Sequence, residues 1–209
     1  MPKAAPTIYS VHPMIGYAQA MLANMRAKTG RTVDEWAELA RRDGPADDAG
    51  RRAWLKSAHG LGANHAMFVV ERAAGRDAVD TDPAAYLAAA PGLVDALYAG
   101  PKAALRPIHD RLVELARSLG PDVRVCPGET IVALYREHVF AQVRPATRTR
   151  VDLGLALGDT PAGGRLIDTG GLAKKDRITH RVPLATPDEI DAEVRRWLAS
   201  AYERAAPPA

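Results

Sequence analysis

The residues with the clearest chemical potential lie in one short run, Trp54-Leu55-Lys56-Ser57-Ala58-His59-Gly60-Leu61-Gly62-Ala63-Asn64-His65-Ala66. The pattern predicts a helix, a tight glycine turn and a second helix. A Gly-x-Gly turn between helices leaves several backbone N–H groups without intrahelical partners, and such groups can hold an anion. Arg51, Arg52 and Lys56 precede the turn and add positive charge. The same residues also have a plainer role. Gly60 and Gly62 permit a left-handed helical corner, and Leu61 plugs the core beneath it.

A second set of polar residues comes from period-two alternation. If Val139, Ala141, Val143, Val151, Leu153 and Leu155 face a core, then Gln142, Arg144, Arg150 and Asp152 share the opposite face of a sheet. Thr179 and Arg181 join them from a later strand. Residues 124–181 hold ten Lys/Arg against six Asp/Glu. Arginines steadied by one aspartate suit a carboxylate or phosphate. The alternative is a solvated sheet face with cross-strand ion pairs. His180 falls among Ile178, Val182 and Leu184, where a histidine is more often a hydrogen-bonded core residue than a catalyst. The stretch from Gly163 to Gly171, followed by Lys174-Lys175-Asp176-Arg177, reads as a basic lid or as a plain connection.

Metal and enzyme signatures are sparse. His59 and His65 are six residues apart across a turn, not the i, i+4 pair that puts two ligands on one helix face. Cys126 has no second thiol to share zinc with. No Gly-x-Ser-x-Gly elbow and no phosphate loop ending in Gly-Lys-Ser/Thr occurs. Asp152, Glu129 and Lys174 could sketch a metal-dependent nuclease centre, at a spacing that is not diagnostic. The sequence therefore calls for no catalytic residue, metal or cofactor.

Composition sets the outer bounds. The chain has 209 residues, 47% of them hydrophobic, enough for two small domains or one medium one, each able to bury a core. A net charge of +3 permits an acidic partner without demanding one. Aromatics, at 5%, are too few for a broad base-stacking surface. A single cysteine forms no internal disulfide, so a reducing cytoplasm is the expected setting. Residues 1–10 lack the apolar run of a signal peptide, and no window reaches 18 uncharged apolar residues, so no membrane association is expected.

The elements that must carry these residues follow from periodicity and punctuation. Pro13 opens a helix whose face is Ile15, Ala18, Leu22 and Met25, ending at Gly30. Thr32 and Glu35 form a capping box for a second helix bearing Trp36, Leu39 and Ala40. An acidic loop at 43–50 leads to helices at 51–58 and 63–73. Asp82-Pro83 starts a short helix that Pro91-Gly92 should end. A long helix is predicted from Pro101 to Leu119 on Leu105, Ile108, Leu112 and Leu115. Strands follow at 123–126, 130–136, 139–144, 148–157 and 177–184, and Thr186-Pro187-Asp188-Glu189 should cap a last helix. Strands joined by short turns pair antiparallel. The expected fold class is α+β. An all-α helical domain spans 1–92, with a linker at 74–92. A two-layer domain spans 93–209, its antiparallel meander packed by one helix before it and one after it.

At this point a resemblance is visible. Thr29-Gly30-Arg31-Thr32, Glu35-Trp36, Trp54-Leu55 and His59-Gly60-Leu61-Gly62 resemble a small bacterial helical domain of unknown function. Residues 97–204 resemble a second uncharacterised bacterial domain, often fused after the first. Its phrases are Leu97-Tyr98-x-Gly100-Pro101-Lys102, Phe140-Ala141-x-Val143-x-Pro145-Ala146-Thr147-x-Thr149-Arg150-x-Asp152-Leu153-Gly154-Leu155, Thr179-His180-Arg181-Val182 and the Thr186–Glu189 segment. These resemblances imply two domains in a bacterial cytoplasm and bring no activity. The glycine turn is also similar to the helix–hairpin–helix motif, whose amides grip a nucleic-acid phosphate, but it departs from that motif in the bulky His59 before the first glycine.

The functional expectation is a non-enzymatic cytoplasmic protein that binds an anionic ligand, nucleic acid first. The predicted contacts are Gly60, Gly62, Arg51, Arg52, Lys56, Arg144, Arg150, Arg181, Gln142, Asp152 and His180. The alternatives are a small-molecule binder or sensor and, further off, a metal-dependent hydrolase or nuclease. The apolar helix stripes suit an intramolecular core and a homo-oligomer interface alike.

Overall fold

The computed structural model describes residues 7–207. Residues 1–6, part of the stretch read above for a leader, and residues 208–209 lie outside it. The chain divides into two compact units, one of Val11–Ala89 and one of Ala90 onward joined by the segment ending at Ser10. Among the described residues no helix is long and apolar enough to cross a membrane.

The first unit is helical: α1 (Pro13–Ala23), α2 (Met25–Thr29), α3 (Val33–Arg42), α4 (Asp48–His59), α5 (Ala63–Ala73), the single turn α6 (Ala78–Thr81) and the start of α7 (Pro83–Leu97). Its core gathers Met25, Trp36, Leu55, Leu61, Val69 and Val70. The predicted capping box is present. Thr32 Oγ1 accepts from the Glu35 N–H, and the Glu35 carboxylate accepts from the Thr32 N–H. The first predicted helix is broken at Asn24, whose side-chain amide donates to the Ala20 carbonyl at 2.9 Å and competes with the helical bond there. Helix α4 starts earlier than expected, because Asp47 Oδ1 accepts from the Gly50 N–H at 2.7 Å and caps it. Helix α7 runs through Pro91-Gly92, the expected stop. Pro91 is exposed, so water can take the carbonyl that a proline cannot serve.

The second unit holds a 3-10 turn (Gly100–Leu105), α8 (Arg106–Arg117), β1 (Arg124–Pro127), β2 (Val132–Tyr135), β3 (Val139–Pro145), β4 (Val151–Leu155), β5 (Ile167–Asp168), β6 (His180–Leu184) and α9 (Ala192–Arg204). The six strands form one antiparallel sheet ordered β1-β2-β3-β4-β6-β5. The fold is α+β, with Val132, Val143, Leu153 and Val182 of the sheet, Ile108 and Leu112 of α8 and Val194 and Leu198 of α9 in one core.

Four local expectations are corrected here. The long helix from Pro101 splits before Arg106, because Pro107 lacks an N–H and its ring would clash with the preceding turn. Thr186 heads only a 3-10 turn (Pro187–Glu189). The true cap of the last helix is Asp191, whose Oδ1 accepts from Glu193 and Val194. A register shift between β2 and β3 leaves Phe140 as the buried residue where Val139 was expected, its ring 5.7 Å from that of Tyr202. Ile178 lies off the face of His180, because regular pairing begins only at His180. A Cβ on Gly154 would meet the Ile178 side chain at 2.8 Å, so Ile178 packs over that glycine on the outer face. Strand β5, two residues long, carried no periodicity and was not expected.

Candidate functional site

The glycine turn is a capped helical corner. Gly60 is left-handed, with φ +68°, and its N–H donates to the Lys56 carbonyl, while the Leu61 N–H donates to Leu55. Leu61 is buried in the core of the helical unit. His59 sits edge-on to the Trp54 ring at 4.4 Å and the Trp36 ring at 5.2 Å, which gives this residue a packing role. Two of the turn's amides are therefore spent internally. Gly62 caps α5 without a side-chain oxygen, and the first residues of α5 border a cavity of about 510 Å³. Lys28 and Asn24 line it. Arg51, Arg52 and Lys56 do not. Arg51 is 4.0 Å from Asp48, and among the described residues Arg52 and Lys56 have no ion-pair partner.

On the sheet of the second unit, the cross-strand register places Arg144 beside Asp152, Gln142 beside Gly154 and Gly154 beside Arg181. Arg150 Nε is 2.8 Å from Asp152 Oδ1, and an Arg181 guanidinium nitrogen is 3.6 Å from Oδ2. The shorter contact is an ion pair without hydrogen-bond alignment, since both of its atoms are buried and neither has a hydrogen bond. One aspartate thus engages two of the three predicted arginines. His180 is buried on the core side, and its Nδ1 is 2.9 Å from the Thr179 hydroxyl.

Arg144 turns to a different site. The β1–β2 and β3–β4 turns lie at the same end of the sheet, because a meander returns every second turn to one edge. Between them and the Gly100–Leu105 turn is a cavity of about 430 Å³, lined by Lys102, Glu129, Thr130, Arg144, Pro145 and Arg148, with Ala96, Leu97, Ala99, Pro101 and Ala146 completing its wall. The Gly128 N–H donates to the Ile131 carbonyl at 2.8 Å, which fixes Glu129 and Thr130 at the tip of their turn. The Lys102 ammonium donates to the Pro145 carbonyl at 3.0 Å. Among the described residues, neither Arg144 nor Arg148 has a carboxylate within ion-pair distance. Arg106, Arg136 and Arg165 of the same unit each hold two.

The arrangement suits an anion. Three cationic groups and one carboxylate share a concave site with no aromatic wall. Lys102, Arg148 and Thr130 were not among the predicted contacts. Lys102 belongs to a phrase that carries the resemblance and Arg148 stands at an unspecified position of another, but only the shared sheet end brings them together. The nuclease sketch is not assembled. Glu129 is at the cavity, Asp152 is engaged by arginines, and Lys174 lies in the turn that packs near the Leu155 end of β4. No group of three or more His, Cys, Asp or Glu among the described residues could hold a metal ion. Burial pushes the Cys126 thiol up to about 11, so it stays protonated at neutral pH.

No curated protein and no solved structure matches the chain. Residues 17–75 are similar to the family described as Domain of unknown function (DUF4287). The cavity between the hairpin turns, Lys102 and both free arginines included, falls within residues 94–205, and over that span, more than half its length, the chain belongs to the family described as Domain of unknown function (DUF5655).

Proposed function

We propose that the protein is a non-enzymatic binding protein of the cytoplasm whose second unit takes a phosphate-bearing anion, nucleic acid first, between the β1–β2 and β3–β4 turns. The observation that carries the reading is the unpaired state of Arg144 and Arg148 in a formed cavity that also holds Lys102. Guanidinium groups held without a carboxylate partner are available for bidentate phosphate contacts. The absence of aromatic lining favours contact with the backbone of a nucleic acid over stacking on its bases. In the Arg150–Asp152–Arg181 set one carboxylate engages both guanidinium groups, so the set, with a net charge of +1, contributes field rather than contact.

A cavity of about 430 Å³ also has room for a free small anion, which keeps the small-molecule reading alive. Fluorescence anisotropy with a labelled single-stranded oligonucleotide, run beside thermal-shift titrations of inorganic phosphate and nucleoside monophosphates, separates the two. The expected result is oligonucleotide binding at low salt, weakened at least tenfold in the double variant Arg144→Ala/Arg148→Ala. Stabilisation by a monophosphate with no oligonucleotide response would favour the small-molecule reading. Silence in both assays would end the proposal.

A further inference from the structure

The cavity contains one group that a site for bare phosphate would do without. Glu129 stands at the tip of the hydrogen-bonded β1–β2 turn, beside Thr130, and lines the same space as Lys102, Arg144 and Arg148. Among the described residues its carboxylate has no ion-pair partner, so opposite charges line one cavity without direct pairing. A carboxylate near a phosphate repels it unless a donor lies between, so the ligand that fits carries a phosphate for the cations and a hydroxyl donor for Glu129.

We infer that the cavity selects ribose over deoxyribose, with the Glu129 carboxylate accepting from the sugar hydroxyl that RNA has and DNA lacks. This rests on the phosphate-binding reading above. The ribose 2′-hydroxyl is the group by which a protein tells the two nucleic acids apart, and carboxylates serve as ribose acceptors in nucleotide sites. Deoxyribose leaves the carboxylate unpaired against the phosphates, and a site built around a hydrogen bond rejects the analogue that cannot make it. Thr130 supplies a second hydroxyl at the same tip.

The test is anisotropy with labelled single strands of RNA and DNA of identical sequence, on the full chain and on Glu129→Ala and Arg144→Ala/Arg148→Ala. Glu129 is exposed, so Glu129→Ala, which removes the acceptor, should fold as the parent does. The expected result is RNA bound at least fivefold tighter than DNA, with Glu129→Ala removing the difference. Equal affinities in the parent, or a preference that survives Glu129→Ala, would overturn the inference. In those cases a loss of binding in the arginine variant leaves the phosphate reading standing. If neither strand binds, this inference falls, and the phosphate reading falls with it only if inorganic phosphate and the monophosphates are silent too.

Discussion

Asp152 decides which arginines of the sheet remain available. Its two oxygens engage Arg150 and Arg181, and its side chain is only 16% exposed. Removing that charge leaves two guanidinium groups facing each other on a half-covered face. Asp152→Asn should destabilise the second unit by about 2 kcal/mol, read as a lower urea midpoint, and leave oligonucleotide affinity within twofold. An unchanged midpoint contradicts the pairing, and a large loss of affinity would bring Arg150 and Arg181 back as contacts. Gly60 belongs to the same scale. Its φ of +68° is strained for any side chain, so Gly60→Ala should cost about 1 kcal/mol in the helical unit. The alternation that put Arg144, Arg150 and Asp152 on one face was legible in the sequence. Which guanidinium the aspartate would hold was not, because that depends on side-chain reach across strands.

Helix ends show what local sequence can and cannot specify. Thr32 and Glu35 were readable as a capping box because both halves lie within four residues. Thr32→Ala should lower stability by about 1 kcal/mol in denaturant unfolding. An effect below a few tenths would mean that the bonds are not formed in solution. At the last helix two caps compete, and Asp191 prevails over Thr186 because Glu189 is drawn back to the Ala185 N–H at 2.6 Å. Helix α8 carries a different load. His109 is buried against the Tyr98 ring at 4.9 Å, with Nδ1 2.9 Å from Asp110 and Nε2 unbonded. Burial pushes its pKa down, and Asp110 offsets this only in part. A histidine whose folded pKa is depressed gives full stability above its unfolded pKa, about 6.5, and loses it as pH falls below that value. The second unit should therefore melt at lower temperature at pH 5 than at pH 7, and His109→Phe should flatten that dependence. An equally steep slope in the variant would assign the effect to other groups.

At the scale of the molecule, the two units divide the chemistry unevenly. The helical unit uses its most identifiable residues, Thr29, Trp36, Trp54, His59 and Gly60, to cap helices and pack its core. The second unit leaves cations unspent at one end of its sheet. The fold class and the order of the main elements were legible because hydrophobic period and turn chemistry are local properties. The candidate site was not, because residues 102, 129, 144 and 148 meet only through the meander. Binding through those cations must release counterions, and this makes the salt dependence of affinity the most direct test of the account. The slope of log Kd against log salt should be steep for the parent and shallower by about 1.4 for Arg144→Ala/Arg148→Ala, two lost contacts on a single strand. Affinity indifferent to salt, or a slope that the double substitution leaves untouched, would contradict it.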